Sequence, residues 1–261
     1  MVVMKFGGSV LSSPADAPAV ASDIYAEVRR GHRVIAVVLG GSSGASRDDN
    51  VQMLLTTGFD ILRRRDQRPE VMISGSAIGW YGDKGDTVLE ENAIPHDEFM
   101  HRLCQDWEHA AQGVTPLGIR LCILRTGVVL GRSGGMLKRL LPVFGLGLGG
   151  RLGSGEQWIS WVALGDYLNI IRFLLNDTRQ SGIFNATAPK PVSNSEFTAV
   201  LAQALGRPAF LHLPASVLKL AMGEMSALLL HSQRVVPSRL LEARFKFRSG
   251  SLEDALRNEL G

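Results

Sequence analysis

The chain has 261 residues, of which 45% are hydrophobic and 20% are charged, and this globular composition excludes wholesale disorder. Its 28 basic and 25 acidic side chains leave a formal charge of +3 without a long basic run, so no nucleic-acid partner is expected. The two cysteines exclude a disulfide framework, and no apolar stretch reaches the roughly 20 residues that span a membrane. We therefore expect a cytoplasmic protein of one or two domains without a membrane partner; the oligomeric state stays open.

In chain order, the first part alternates between strand and helix patterns. Residues 2–6 form an apolar run closed by Gly7 and Gly8, which predicts a strand and a turn. Further helices are predicted over 15–30, 51–62, 99–112 and 165–175, and further strands over 33–39, 71–74 and 120–130. This alternation favours an α/β fold with a parallel sheet flanked by helices.

After residue 185 the pattern changes to short helices separated by prolines. Helices are predicted over 195–205, 215–230 and 252–260, which together resemble a smaller lid packed against the sheet. The glycine-dense residues 145–155 do not match the spacing of a phosphate-binding loop, and no strand is predicted before them. We therefore expect residues 136–160 to form a loop on the substrate side.

Two loops at strand ends carry residues with possible chemistry, because doubly wound sheets bind ligands beyond the carboxyl ends of their strands. In the first loop, the Ser76 hydroxyl can hydrogen-bond a substrate carbonyl or hydroxyl; the alternative is a tight turn in which Trp80 and Tyr81 pack on the core. In the second loop, over residues 124–131, Arg125 either contacts a ligand or is a buried charge tied into a carboxylate network.

Taken together, these segments resemble a known family. Ser-Gly-Ser-Ala-Ile-Gly-Trp-Tyr-Gly-Asp at 74–83, Leu-Arg-Thr-Gly-Val-Val-Leu-Gly at 124–131 and the tail at 234–247 are similar to the epimerase-like branch of the extended short-chain dehydrogenase/reductase superfamily, over about residues 46–261. The resemblance implies a Rossmann-type nucleotide-binding domain over residues 1–185, binding NADP or NAD, and a small C-terminal domain over 186–261. It further implies an epimerase or reductase acting on a small-molecule substrate with a hydroxyl or carbonyl group.

The same resemblance implies roles for single residues. Ser76 matches the superfamily's catalytic serine, and the residues expected against the cofactor are Ser74, Arg125, Thr126, Gly127 and Val128. Met100 and Cys104 occupy the superfamily's tyrosine and lysine positions, where methionine has no proton to give and a neutral thiol cannot lower a tyrosine pKa. The proton donor is therefore open among Tyr81, His96 and His101, for each of which packing or exposure is the alternative. No metal site is expected.

The front of the chain departs from this family. Residues 1–39 resemble the start of aspartate kinase and related amino-acid kinases, whose Lys-Phe-Gly-Gly opening helps hold the phosphates of ATP. We expect Gly7, Gly8 and Ser9, helped by Lys5 or Arg47, to hold the pyrophosphate of the dinucleotide, on a sheet that is shortened in its N-terminal half. The alternatives are a non-catalytic Rossmann-like protein that has lost cofactor binding and a relative of the amino-acid kinases.

Overall fold

A computed structural model describes residues 2–6, 34–38 and 69–261, apart from the side chains of the first two segments and of residues 222, 224, 225 and 228. The helices predicted over 15–30 and 51–62 lie outside the described residues, as do Gly7, Gly8, Ser9 and Arg47. Among the residues described, no helix is long and apolar enough to cross a membrane.

The strands and helices follow one another along the chain largely as the patterns predict. The strands are β1 (Val2–Phe6), β2 (Val34–Val38), β3 (Val71–Ala77), β4 (Val88–Leu89), β5 (Arg120–Thr126), β6 (Val128–Leu130), β7 (Gly150–Leu152), β8 (Trp158–Ile159), β9 (Trp161–Ala163), β10 (Gly182–Ala186), β11 (Val192–Ser193), β12 (Leu211–Leu213) and β13 (Arg234–Val235). The helices are α1 (Phe99–Ala111), α2 (Gly135–Gly145), α3 (Leu164–Asn176), α4 (Asn194–Leu205), α5 (Ala215–Met222), α6 (Ala227–Leu230), α7 (Ser238–Glu242) and α8 (Leu252–Leu260).

A five-stranded sheet with the order β1-β2-β3-β5-β10 confirms the predicted α/β architecture. The first three strands pair in parallel, and their register places Phe6 opposite Val38 and Val38 opposite Ser74. The middles of β3 and β5 are fully buried, as expected for inner strands of a parallel sheet that helices cover. The register also brings the ends of the first three strands to one edge of the sheet.

The chain divides into two compact units. The first contains residues 1–80, 97–125 and 173–184, and within it α1 packs its buried stripe against β3. The second contains residues 81–96, 126–172 and 185–261, with four two-stranded sheets and a core in which Phe144, Trp161 and Phe197 are buried. The domain division at residue 185 that the resemblance implies stays a prediction.

Two predicted elements are interrupted by glycines. The strand expected over 120–130 ends at Thr126, and β6 pairs instead with β9, because the backbone at Gly127 passes so close to the Ser160 carbonyl oxygen that a Cβ would overlap it. The helix expected over 215–230 stops at Gly223, whose φ of 56° leaves the helical region. Residues 136–160, expected as a loop, contain most of α2 together with β7 and β8.

Candidate functional site

A buried hydrogen-bond network links the ends of two neighbouring strands, β3 and β5, to helix α1 in the first unit. The Arg125 guanidinium, at the end of β5, donates from Nε to Glu108 Oε1 at 2.8 Å and from Nη2 to Glu108 Oε2 at 2.9 Å. Ser76, near the end of β3, donates its hydroxyl proton to the same Glu108 Oε1 at 2.9 Å. All three side chains are buried, and Arg125 is only 1% exposed. The structure thus brings Ser76 and Arg125 together through Glu108. Of the two alternatives that the sequence left open for Arg125, the buried carboxylate network is the one observed.

Aromatic packing completes the surroundings of Arg125. Its guanidinium carbon lies 3.4 Å from the centroid of the Trp80 ring, which is close enough for a cation–π contact. The Trp80 carbonyl oxygen lies 2.7 Å from His101 Nδ1, and since a carbonyl can only accept, that ring nitrogen carries the proton. His101 is buried and its ring meets Trp80 edge-on, which favours the packing interpretation; its role as proton donor stays a prediction.

Met100 and Cys104, which the resemblance assigns to the superfamily's tyrosine and lysine positions, lie on α1 against the loop after β3. A Cβ built on Gly79 would meet Met100 Cβ at 3.3 Å and Cys104 Sγ at 3.9 Å. Burial raises the pKa of the Cys104 thiol to about 12, against smaller lowering effects that include a hydrogen bond with the Ser76 side chain. Cys104 therefore keeps its proton at neutral pH and supplies no cation.

Tyr81 belongs to a different hydrogen-bond network, in the second unit. Its side chain is 0% exposed, and its hydroxyl donates to Asn185 Oδ1 at 2.7 Å. The Asn185 backbone N–H in turn donates to Glu91 Oε1 at 3.0 Å, and burial raises the pKa of that Glu91 carboxyl despite this bond. This geometry favours the packing interpretation of Tyr81, and its role as proton donor stays a prediction.

The other predicted contacts of the cofactor are divided between the two units. Ser74 is buried on β3, two residues before Ser76 and on the same face of the strand. In the second unit, Thr126 Oγ1 lies 3.4 Å from the Tyr167 hydroxyl, while the backbone N–H groups of Gly127 and Val128 donate to carbonyl oxygens. None of these contacts involves Ser76, and the roles of all four residues in cofactor binding stay predictions. His96 is exposed.

Sequence analysis missed Glu108, which links the two strand ends. A signal was present: Glu108 falls on the buried stripe of α1, in line with Cys104, where a carboxylate needs a buried partner. The partner could not be identified from spacing, since Arg125 lies on another element 17 residues further along the chain.

The second unit contains a cavity of about 800 Å³. Its wall combines the glycine-dense stretch, through Gly153 and Ser154, with α5 and the segment that follows it. The polar side chains Gln157, Lys219 and His231 also line it. In the part of the chain that the structure describes, no cluster of histidine, cysteine or carboxylate side chains is suited to hold a metal ion.

Comparisons with known proteins match a C-terminal segment of the chain in one case and more than two thirds of the chain in others. A model for a domain of unknown function (DUF1731) matches residues 213–259. An epimerase family protein of Mycobacterium bovis, Mb2239, is 42% identical over 186 residues, which are 71% of this chain and 62% of the relative. The chain thus spans less than two thirds of the length of this curated relative.

Two solved structures share the fold. The human epimerase family protein SDR39U1 (isoform 2), crystallised with NADPH, has a TM-score of 0.82 and 25% identity, and the match covers 99% of both chains. A nucleoside-diphosphate sugar epimerase from Corynebacterium glutamicum has a TM-score of 0.72 and 32% identity, over 90% of this chain and 47% of that one.

Proposed function

Since this chain belongs to the epimerase-like branch of the extended short-chain dehydrogenase/reductase superfamily, we propose that it binds NADP(H), with NAD as the other candidate. We further propose that it acts as an epimerase or reductase on a small hydroxyl or carbonyl compound. One observation carries the proposal: the strand register sets Phe6, immediately before Gly7, level with Val38 and with Ser74. The end of β1, which Gly7 follows in the sequence, and the part of β3 that carries Ser74 and Ser76 therefore lie at the same edge, where such sheets bind nucleotides.

The residues at this edge fit a dinucleotide in their chemistry. In the proposal, the backbone at Gly7, Gly8 and Ser9 holds the pyrophosphate, while Ser74 and the loop from Arg125 to Val128 lie against the nicotinamide end. The bound cofactor supplies the hydride acceptor or donor. The protein supplies a serine hydroxyl at the end of β3, held in place by the Glu108 and Arg125 pair.

The substrate is the second part of the proposal. We place the nucleotide-binding domain at residues 1–185 and the substrate-side domain at 186–261. The cavity of about 800 Å³ in the second unit supports a small-molecule substrate, since ligand pockets typically measure roughly 300–1,000 Å³. Its lining residues Lys219, His231 and Gln157 provide polar contacts for such a compound. The buried cysteines Cys104 and Cys122 form no disulfide with each other, which supports a reducing, cytoplasmic location.

A calorimetric titration of the purified chain with NADPH tests the proposal. We expect saturable binding, unchanged in the control variant Arg179→Gln, whose side chain is exposed. Absence of binding at millimolar NADPH would refute it. A variant with a Gly-x-x-Gly-x-x-Gly turn after Phe6 should bind more tightly; an unchanged affinity would show that the pyrophosphate does not lie at this turn.

A second candidate function is a Rossmann-like protein without catalysis. Met100 and Cys104, at positions where the superfamily has tyrosine and lysine, favour this candidate. Cooperative thermal unfolding with a midpoint that no nicotinamide nucleotide changes would support it, since a bound ligand stabilises the folded state. ATP in the same titration tests the remaining alternative, a relative of the amino-acid kinases.

A further inference from the structure

We propose that Glu108 fixes the direction of the Ser76 hydroxyl, so that Ser76 meets its ligand as a hydrogen-bond acceptor and selects a hydroxyl group over a carbonyl group. The inference rests on the proposed function and adds to it that the hydroxyl or carbonyl group of the substrate lies against Ser76. Glu108 acts through Ser76 and is a positioning residue, whereas Ser76 touches the ligand.

The first step concerns the single proton of the Ser76 hydroxyl. Ser76 Oγ donates this proton to Glu108 Oε1 at 2.9 Å. A carboxylate in an ion pair has no proton to return, and Arg125 holds this one with two N–H donors at 2.8 and 2.9 Å. The proton of Ser76 is therefore committed to Glu108, and only the lone pairs of Oγ remain.

The second step concerns the neighbouring thiol. Burial raises the pKa of the Cys104 thiol to about 12, so this side chain stays neutral at neutral pH and offers the Ser76 hydroxyl no anion in place of Glu108. Glu108 therefore stays the acceptor of the Ser76 proton, and an Oγ lone pair is left for a ligand.

The third step follows from the chemistry of the ligand. A carbonyl oxygen has no proton, so it would face the Oγ lone pair without a hydrogen bond. An alcohol can donate its O–H to that lone pair. The Ser76 site therefore favours the hydroxyl form of a substrate by about fivefold, the factor that one net hydrogen bond of about 1 kcal/mol provides.

Proton NMR of protein with ¹³C-labelled serine tests the direction of the hydrogen bond. We expect a slowly exchanging hydroxyl proton that is absent from Ser76→Ala and exchanges faster in Glu108→Gln. The buried Ser160 hydroxyl, which donates to the Gln233 carbonyl oxygen at 2.6 Å, supplies a reference signal in the same spectrum. A Ser76 proton that exchanges as fast in the parent protein as in Glu108→Gln would overturn the proposal.

Competition binding of cyclohexanol and cyclohexanone tests the selectivity, on protein saturated with 1,4,5,6-tetrahydro-NADPH, which occupies the cofactor site but cannot donate a hydride to the ketone. We expect about fivefold tighter binding of the alcohol, lost in Ser76→Ala, retained in Ser76→Thr and unchanged in the control Ser160→Ala. The two Ser76 variants leave the Glu108 and Arg125 pair in place, so the test does not depend on a folded Glu108 variant. Equal binding, tighter binding of the ketone, or binding of neither probe would overturn the inference. Failure to bind NADPH would instead refute the proposed function, while the NMR result on Ser76 would still stand.

Discussion

Replacing Glu108 by leucine should destabilise the protein strongly. The substitution keeps the side-chain volume similar, but it leaves the Arg125 guanidinium, 1% exposed, without its carboxylate. Loss of one partner of a buried pair typically costs about 3–5 kcal/mol in the free energy of unfolding. Ser76 also loses its acceptor, whereas the contact between Arg125 and Trp80 offsets only part of the loss, so we expect a cost within this range.

Urea unfolding of a double-mutant cycle measures this cost. Arg125→Met in the Glu108→Leu background should recover most of the lost stability, because it removes the unpaired charge and leaves an apolar pair. Arg102→Gln serves as the control, since its ion pair with Asp97 is exposed and should contribute little. A cost below about 1 kcal/mol for Glu108→Leu, or additive costs in the double variant, would refute the reasoning.

Three further predictions concern single side chains. Gly127→Ala should cost about 1–3 kcal/mol in thermal unfolding, since the added methyl group overlaps the backbone carbonyl of Ser160, between β8 and β9, whereas Gly145→Ala, with open space around it, should not. Tyr81→Phe should cost about 1–3 kcal/mol in urea unfolding by leaving Asn185 Oδ1 unsatisfied, with NADPH affinity unchanged; an unchanged stability would contradict the packing interpretation. The pKa of the Cys104 thiol is about 9 in the unfolded chain and about 12 in the folded protein, so above pH 9 the unfolded chain loses this proton while the folded protein keeps it. The free energy of unfolding should therefore fall above pH 9, by up to about 1.4 kcal/mol per pH unit. Unfolding curves of Cys104→Ala at pH 8 to 10 should lack this contribution.

The sheet and its helices could be predicted where local patterns determine the structure. The apolar run at 71–74 and the buried stripe of α1 follow from periodicity alone, and both elements formed within a few residues of their predicted bounds. The break at Gly127 could not be predicted, because it depends on the Ser160 backbone, 33 residues later in the chain. The helix end at Gly223 could not be predicted either, because the largely apolar composition of residues 215–230 favours one continuous buried helix.

The candidate site was predictable only in part, for a similar reason. Ser76 and Arg125 stand at strand ends, which the fold class marks as the place for ligands. Their common partner Glu108 comes from a helix, so only the packing of α1 against β3 shows that the three side chains form one network. Tyr81 belongs to the same loop as Ser76 in the sequence, but its hydroxyl donates to Asn185 and takes no part in the Glu108 network.

A crystal structure of the full chain grown with NADPH tests the central claim most directly. We predict that the pyrophosphate lies against the backbone of Gly7, Gly8 and Ser9 and that the nicotinamide ring lies beside Ser76 and the loop that begins at Arg125. A nucleotide bound at any other edge of the sheet, or no nucleotide at a saturating concentration, would contradict the account.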